Sequence, residues 1–260
     1  MNKENHSKKI ILSGAENQCC SPETDNTNPG IFKSGCMVCG APLIYYWENK
    51  ESTCFFCGQV LQANAGCLNG HFVCDHCHSA DAIEIIRNVC LNSRQTDMVE
   101  LMQTIRSHPL FGIHGPEHHS MVPAVILTAL KNSGYQISDD EINLAIARGK
   151  IVGGGACAFL GACGAAVGVG IAVSVVLKAN PYDGSKRQSV QQNTQKVLAK
   201  IASYKAPRCC QRDSWLALKE ASTIIREITG KSLSVGTIEC EQFRENKECI
   251  HKQCPLWPSR

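Results

Sequence analysis

Apolar residues recur at helical spacing along most of the chain beyond residue 80. From Asp81 to Asn92, and again from Thr96 to His108, they fall three or four positions apart, and Pro109 follows the second run. This spacing places the apolar side chains on one face of a helix, and proline ends a helix because it lacks the next hydrogen-bond donor. The pattern therefore predicts two amphipathic helices.

Start and stop signals predict further helices along the rest of the chain. Pro116 suits a first helical turn and Gly134 a stop, whereas Ser138 and Glu141 form a capping box that precedes a stop at Gly149. Three more helices are expected, at about residues 162–179, 189–204 and 214–229, with a turn at 180–184. Because no repeat of solenoid length occurs in the sequence, we expect one bundle-like domain.

The stretch from Ile151 to Leu177 contains no charged residue. Its length makes it a candidate for a membrane span. However, it contains seven glycines and two cysteines, and its first half is too rich in glycine and alanine to insert strongly. We therefore expect a buried core helix preceded by a glycine loop, and no membrane span.

The N-terminal third differs from the rest of the chain. Residues 1–34 are rich in Asn, Ser, Lys and Pro and lack hydrophobic periodicity, so we expect a disordered tail. Residues 35–79 should form a zinc-binding module with short strand-like pieces, 80–235 a helical domain, and 236–260 a cysteine-containing C-terminal tail. The predicted fold class is α+β, mostly α, in which a zinc-ribbon-like module precedes an all-α bundle-like domain.

Seventeen cysteines in 260 residues indicate either disulfides or metal ligands. The N-terminal residues show no apolar segment of secretory length, so we expect a reducing cytoplasm, in which thiolates are available to metals. The net charge of +3 is spread along the chain. That distribution argues against nucleic acid as a partner.

Two identical turns carry the strongest sign of zinc. Each turn has the form Cys-x-x-Cys-Gly and presents two thiolates from one tight loop, and a second group of four candidate ligands follows them. Which pairs share an ion is open, because sequential and interleaved sites fit the same order, and His76 or His78 could replace the histidine of the second group. The predicted zinc ligands are Cys36, Cys39, Cys54 and Cys57, then Cys67, His71, Cys74 and Cys77.

A second constellation contains three imidazoles and a carboxylate within six residues: His114, Glu117, His118 and His119. These groups could bind a transition metal or transfer protons near neutral pH. The alternative is that the carboxylate only favours the helix dipole while the histidines cap and pack. We count these four as candidate catalytic residues, together with Cys209 and Cys210. Arg208 and Arg212 should lower the pKa of these two thiols.

A third constellation lies in the glycine-rich stretch. Its glycines let the backbone approach a ligand closely, next to two thiols. The alternative is that the glycines only permit tight packing between helices. The candidate cofactor-binding residues are Gly153, Gly154, Gly155, Cys157 and Cys163. With Cys209 and Cys210, the two thiols could bind an iron–sulfur cluster or perform sulfur chemistry.

Three further cysteines, Cys240, Cys249 and Cys254, stand near the C-terminus, and Pro255 follows the last. They look like an incomplete cluster-binding run that needs a fourth ligand from elsewhere in the chain. A structural metal clip is an equal alternative. The spacing does not discriminate between zinc and iron.

Together these motifs resemble a cysteine-rich domain-of-unknown-function family over roughly residues 36–256. The resemblance rests on the Cys-x-x-Cys-Gly turns, CLNGHFVCDHCHS, HGPEHH, GGGACAFLGACGAAVGVG, PRCCQRDS and the cysteine-containing ending. The resemblance implies a protein of methanogenic archaea or anaerobic bacteria, where similar domains occur alone or attached to methyltransferase-like modules. The glycine-rich stretch is also similar to the cluster-binding segment of iron–sulfur serine dehydratases, which implies an oxygen-sensitive cluster enzyme.

The leading hypothesis is a metal- or iron–sulfur-dependent enzyme or accessory protein of anaerobic metabolism. A small-molecule substrate or a methyltransferase-like protein would be its partner, whereas substrate, reaction class and oligomeric state are open. A rival is a non-catalytic zinc-ribbon adaptor that binds protein or nucleic acid. Its recognition face would use Tyr45, Tyr46, Trp47, Phe55 and Phe56. A third hypothesis is a thiol-based carrier of sulfur or metal.

Overall fold

The computed structural model describes residues 35–56, 58–108 and 110–258. The chain divides into two compact units, which comprise residues 1–77 and residues 78–260. The tail expected at residues 1–34 and the predicted zinc ligand Cys57 lie outside the described residues. The described part is mostly helical with one two-stranded sheet, so the predicted α+β, mostly α, fold class is confirmed.

The sheet of unit 1 is an antiparallel pair formed by β1 (Leu43–Thr53) and β2 (Val60–Cys67). Leu43 pairs with Cys67 at one end and Thr53 with Val60 at the other, and the register shifts between Tyr45 and Lys50. A two-stranded sheet cannot bury a core of its own. The cysteines of this unit are therefore the expected source of its stability.

Helix α1 (Asp75–Asn92) begins six positions before the predicted start at Asp81. The remaining helices fall within a few residues of the predicted ones, apart from one short extra helix in the glycine-rich stretch, because the apolar spacing and the caps define them well. In chain order they are α2 (Met98–Arg106), α3 (Glu117–Asn132), α4 (Asp139–Gly149), α5 (Ala156–Phe159), α6 (Gly164–Val176), α7 (Gly184–Ala202) and α8 (Cys210–Thr229).

Capping side chains define where several helices begin. The Asp97 carboxylate accepts hydrogen bonds from the backbone of Val99 and Glu100 at the start of α2. At the start of α4, Ser138 and Glu141 form the predicted capping box, with each side chain bonded to the other residue's backbone. Such caps satisfy the donors that a first helical turn leaves unpaired.

Helix α3 lies at the centre of unit 2, where it packs against α2, α4, α6 and α8. Nearly every residue of α3 is buried, as expected of a helix that is apolar on most of its faces. Small residues of α6 permit close packing: a Cβ atom at Gly168 would lie 2.9 Å from Pro123 and 3.0 Å from Val122 of α3. The uncharged stretch thus supplies a core helix.

None of the helices in the described ranges is both long and apolar enough to cross a bilayer. Unit 2 also contains the C-terminal residues, which include two short 3-10 turns, Gln242–Arg244 and His251–Gln253. There the Cys240 amide donates a hydrogen bond to the Leu256 carbonyl at 3.0 Å, and Leu256 is buried. This hydrogen bond joins the two ends of the segment that carries the C-terminal cysteines.

Candidate metal centres and a buried polar network

The first candidate metal centre in unit 1 brings together two segments of the chain. Cys36 and Cys39 lie in the turn before β1, Cys67 ends β2, and His71 follows four residues later, with all four ligand atoms within 4.8 Å of one another. The Cys39 and Cys67 sulfurs are 3.9 Å apart, and the Cys39 sulfur is 3.3 Å from His71 Nδ1. A tetrahedral zinc ion with Zn–S bonds of about 2.3 Å requires sulfurs roughly 3.8 Å apart.

The environment of the first centre favours a thiolate at Cys39. Burial acts to raise the pKa of Cys39, but hydrogen bonds from the Ala41 backbone, His71 and Asn69 outweigh it and lower the pKa to about 7. Burial, together with the neighbouring thiols, raises the pKa of Cys36 to about 11. A metal ion would compensate this crowding of sulfur, because the thiolate is the form that binds metal.

The second candidate centre gathers Cys54, Cys74 and Cys77, whose sulfurs also lie within 4.8 Å of one another. Cys54 follows β1, and its sulfur accepts a hydrogen bond from the Cys74 amide at 3.4 Å. Cys74 and Cys77 flank the start of α1. The fourth predicted ligand, Cys57, lies outside the described residues, and its Cys-x-x-Cys turn begins at Cys54.

The two centres use their ligands in an interleaved order. The first and third ligand pairs along the chain share one centre, whereas Cys54 of the second pair shares the other with the fourth pair, Cys74 and Cys77. Sequential pairing would instead have joined Cys36 and Cys39 with Cys54. The structure also brings His71 to the first centre, whereas His76 and His78, the alternative histidines, are absent from both groups of the described residues.

A buried polar network occupies unit 2 around Glu117, the first residue of α3. Its carboxylate is almost fully buried, with one oxygen 3.3 Å from His78 Nδ1 and the other 3.5 Å from His118 Nδ1. Burial alone would raise the pKa of Glu117, but the His118 and His78 imidazoles close to its two oxygens outweigh it and hold the pKa well below its usual value. Glu117 is therefore ionised at neutral pH.

His118 continues the network towards a buried arginine. Its Nε2 contacts the guanidinium of Arg106, and its Nδ1 lies 3.1 Å from the Gly115 carbonyl. Burial and the charge of Arg106 lower the pKa of His118 to about 4 despite the nearby Glu117. These partners assign a neutral imidazole that accepts from Arg106 at Nε2 and donates from Nδ1.

Arg106 is 9% exposed, and its Nη2 donates to Gln242 at 2.7 Å. Burial lowers the pKa of Arg106, while nearby Cys210, Cys209 and Glu117 act to raise it. No carboxylate of the described residues forms an ion pair with this guanidinium, and Arg106 Nε lacks a hydrogen-bond partner there.

The remaining histidines of the second constellation have different surroundings. His114 Nε2 lies 3.1 Å from the Asn246 side-chain oxygen and 3.6 Å from the Glu248 carboxylate. His119 Nδ1 lies 2.7 Å from the Val152 carbonyl, which precedes the glycine loop. The four predicted residues are thus brought near one end of α3, but they do not form a compact ligand group within the described residues.

The expected lowering of the thiol pKa at Cys209 and Cys210 is wrong. Arg212 does act to lower the pKa of Cys209, and Arg208 that of Cys210. Burial is the larger effect, and it raises the pKa of Cys209 and raises that of Cys210 to about 12. Desolvation disfavours the thiolate more than a neighbouring arginine favours it.

The glycine-rich stretch contains two unlike thiols. Cys157 is exposed on the short helix α5, which begins after Gly155 in the left-handed conformation (φ 79°). Cys163 is buried before α6, where burial, together with the charge of Asp213, raises its pKa to about 11. Gly153 and Gly154, the other predicted cofactor-binding positions, are half-buried in the loop before α5.

Several residues of these sites were not singled out from the sequence. The sequence predicts His78 only as an alternative zinc ligand, and Arg106 only as part of an amphipathic helix. A charged residue next to the apolar positions of α2 is a weak signal, because long side chains often reach solvent. Asn246, which joins His114 to the Cys209 thiol through its amide, carries no sequence signal at all.

These features define a mostly helical protein with a cysteine-rich N-terminal region and candidate metal centres within it. The chain belongs to the family of unknown function DUF5714, whose model matches residues 86–257. The expectation of an uncharacterised family is confirmed, and the match begins after the two candidate metal centres. No curated protein and no solved structure matches the chain significantly.

Proposed function

We propose that this chain is a zinc-containing protein of anaerobic metabolism that serves as a metal- or iron–sulfur-dependent enzyme or as an accessory protein of one. The observation that supports it is the gathering of Cys36, Cys39, Cys67 and His71 within 4.8 Å, beside a second group that contains Cys54, Cys74 and Cys77. The free thiols of the described cysteines suit the reducing cytoplasm in which we place the protein.

Zinc is the ion that fits the first group. Three thiolates and one imidazole at these separations match tetrahedral zinc, which carries no redox chemistry. Four protein ligands close the coordination sphere and leave no position for a substrate, so the zinc is structural. It replaces the core that the β1–β2 sheet lacks, and its binding free energy becomes folding free energy.

The chemistry of the proposed function belongs to unit 2. The Glu117 carboxylate, the neutral His118 imidazole and the buried Arg106 guanidinium form a chain of contacts that can hold or move a proton. Buried groups with displaced pKa values are typical of functional sites. A small-molecule substrate or a methyltransferase-like protein is the partner we propose for this unit.

Pairs of substitutions test the interleaved zinc module. Wild-type full-length protein purified without oxygen should contain about two zinc ions per chain. Cys36→Ser combined with Cys67→Ser removes two ligands of one centre and should leave about one zinc. Cys36→Ser combined with Cys54→Ser damages both centres and should leave none.

Sequential pairing would reverse these two results, so that outcome contradicts the interleaved arrangement. Should either double variant unfold the whole module, Cys36→His provides a second measurement on cobalt-substituted protein. Interleaved pairing predicts one ion with two thiolates and two imidazoles beside one with four thiolates, whereas sequential pairing predicts two ions that each have three thiolates and one imidazole. Wild-type protein without stoichiometric zinc would contradict the proposed zinc module.

A protein- or nucleic-acid-binding adaptor is the second candidate function. The observation that favours it is the exposure of Trp47, Phe55 and Phe56 in unit 1, where Trp47 is 85% exposed. Single-stranded nucleic acid that stacked on Trp47 would quench its fluorescence in a salt-dependent manner. Quenching by full-length protein that Trp47→Ala abolishes would favour the adaptor, and its absence would count against a nucleic-acid partner.

A further inference from the structure

Four cysteines of unit 2 come together from two distant segments. Cys209 precedes α8, while Cys240, Cys249 and Cys254 lie in the C-terminal residues. The hydrogen bond from the Cys240 amide to the Leu256 carbonyl places Cys240 beside the segment that contains Cys254. The backbone therefore brings the first and the last of the C-terminal thiols to one place.

Asn246 connects this C-terminal segment to the start of α8. Its side-chain amide donates to the Cys209 sulfur at 3.8 Å, and its backbone carbonyl accepts from the Cys249 amide at 3.1 Å. The Cys249 sulfur in turn accepts from the His251 amide at 3.3 Å. Cys209 thus lies against the C-terminal segment that contains Cys249.

The electrostatics of these thiols agree with that placement. Burial raises the pKa of Cys209, Cys240 and Cys254, and negative charge on the neighbouring thiols raises each further. The charge of Cys254 raises the pKa of Cys209. The charges of Cys209 and Cys249 raise the pKa of Cys240, and those of Cys240 and Cys249 raise the pKa of Cys254. These mutual effects agree with the proximity that the hydrogen bonds of Asn246 and Cys240 show, because Coulomb repulsion weakens with distance.

Their spacing differs from that of the zinc-type centres in unit 1. Among the described residues, groups of three or more ligand atoms within 4.8 Å occur only in unit 1, so these four sulfurs are more widely spread. One zinc ion needs sulfurs roughly 3.8 Å apart. A four-iron cluster binds each thiolate through a different iron, so its ligand sulfurs lie farther apart than those around one zinc ion.

Buried positive charge surrounds the same thiols. Cys210, Cys209, Glu117 and Cys240 act to raise the pKa of Arg106 against its burial, and its guanidinium forms no ion pair with a carboxylate among the described residues. Arg212 is 3% exposed, acts on Cys209 and Cys254, and is paired with Asp213 at 2.9 Å. A buried cation requires a negative partner. A cluster held by four thiolates carries net negative charge and would provide a negative partner for Arg106.

We propose that Cys209, Cys240, Cys249 and Cys254 bind one four-iron iron–sulfur cluster. Each thiol loses its proton on binding, and each sulfur forms one bond to a different iron. This inference deepens the proposed function and rests on its iron–sulfur part, but it does not require zinc in unit 1. It replaces the grouping of Cys209 with Cys157, Cys163 and Cys210, because Cys157 is exposed and Cys210 faces Glu117 and the Gly115 backbone.

The test uses full-length protein purified without oxygen and reconstituted with iron and sulfide. Wild type should bind about four irons and four acid-labile sulfides, show broad visible absorption, and give a paramagnetic signal after one-electron reduction. Changing any one of the four proposed ligands to serine should lower cluster affinity by at least about tenfold. Cys157→Ser and Cys163→Ser are matched controls and should retain the iron.

Footprinting of wild-type protein keeps the test decisive even where a serine variant fails to fold. Alkylation followed by mass spectrometry should find the four ligand thiols protected together in loaded protein and labelled together after oxidative loss of iron. Cys157 should be labelled in both states. Zinc measured in the same samples reports on unit 1 separately.

Three outcomes would overturn the cluster. Wild type that binds zinc in unit 1 but no iron or labile sulfide would overturn it and leave the zinc module of the proposed function standing. Cluster loss in Cys157→Ser and Cys163→Ser, with iron retained in Cys254→Ser, would show that the ligand set is wrong. A third zinc ion bound by the four cysteines, in place of iron, would show a structural clip.

Discussion

An oxygen of the Glu117 carboxylate lies 3.3 Å from His78 Nδ1, although the two residues are 39 positions apart and Glu117 is only 1% exposed. An isolated carboxylate at such a buried position would be costly. His118 contacts its other oxygen, and Arg106 contacts His118 in turn. This network connects the start of α3 to α1 and α2. A substitution in the network should therefore lower the free energy of unfolding.

Glu117→Gln tests that relationship. The substitution removes the negative charge on which both imidazoles act and leaves buried donors with a poorer partner, so the free energy of unfolding should fall by about 3 kcal/mol. The matched control is Glu84→Gln, which removes a more exposed carboxylate paired with Arg87 and should change stability by less than about 1 kcal/mol. Chemical denaturation at pH 7 measures both; equal effects would contradict the importance of the buried carboxylate.

The depressed pKa of His118 predicts a particular dependence of stability on pH. Its folded pKa of about 4 lies below the unfolded value, so the unfolded chain binds this proton first as the pH falls. Stability from the neutral imidazole is therefore complete above about pH 6.5 and is lost towards pH 4, by on the order of 3 kcal/mol.

His118→Gln should remove this part of the pH dependence. The useful quantity is the slope of unfolding free energy against pH, because the variant's absolute stability also reflects lost packing on Phe111. Wild type should lose stability more steeply than the variant between about pH 6.5 and 4. Parallel slopes would show that His118 titrates normally in the folded protein.

Gly164 provides a test of the packing between α6 and α3. A Cβ atom there would overlap the imidazole of His119, which is itself bonded to the Val152 carbonyl and cannot move freely. Gly164→Ala should therefore lower the free energy of unfolding by about 1–3 kcal/mol. At Gly184, the first residue of α7, an added Cβ meets nothing within 4 Å. Gly184→Ala should be neutral or slightly stabilising, and thermal unfolding of the two variants distinguishes them.

Local signals explain which parts of the fold could be predicted. The capping box at Ser138 and the apolar spacing of α2 are contained in a few neighbouring residues, and both helices occur where expected. The early start of α1 at Asp75 could not be read in the same way, because its first turn carries ligand-type residues instead of an apolar face. Hydrophobic periodicity appears only after Ala80.

The candidate sites depend on contacts between distant residues. Four similar ligand pairs contain no information on which two share a centre, so only the β1–β2 pairing reveals that Cys39 approaches Cys67. The same applies to Cys209, whose placement beside the C-terminal cysteines follows from Asn246 and from the Cys240 hydrogen bond. Types of ligand could be predicted from the sequence, whereas their grouping required the tertiary structure.

Two cysteines outside the proposed metal sites should differ in reactivity. Cys90 is 1% exposed in α1, and burial raises its pKa to about 12, with a smaller opposing effect from Thr128. Cys157 is exposed on α5. Because the thiolate is the reactive form and the reagent must reach it, iodoacetamide at neutral pH should label Cys157 readily and leave Cys90 unlabelled in the folded protein.

Mass spectrometry of timed samples gives the alkylation rates of Cys90 and Cys157. As a control, the same reaction in denaturant should alkylate both cysteines at similar rates. The protection of Cys90 should then follow global unfolding, since its sulfur lies in the core formed with α2 and α3. Rapid labelling of Cys90 in native protein would show that α1 opens locally. In that case α1 would open separately from α2 and α3, and the contact between His78 and Glu117 would be absent whenever the whole helix is open.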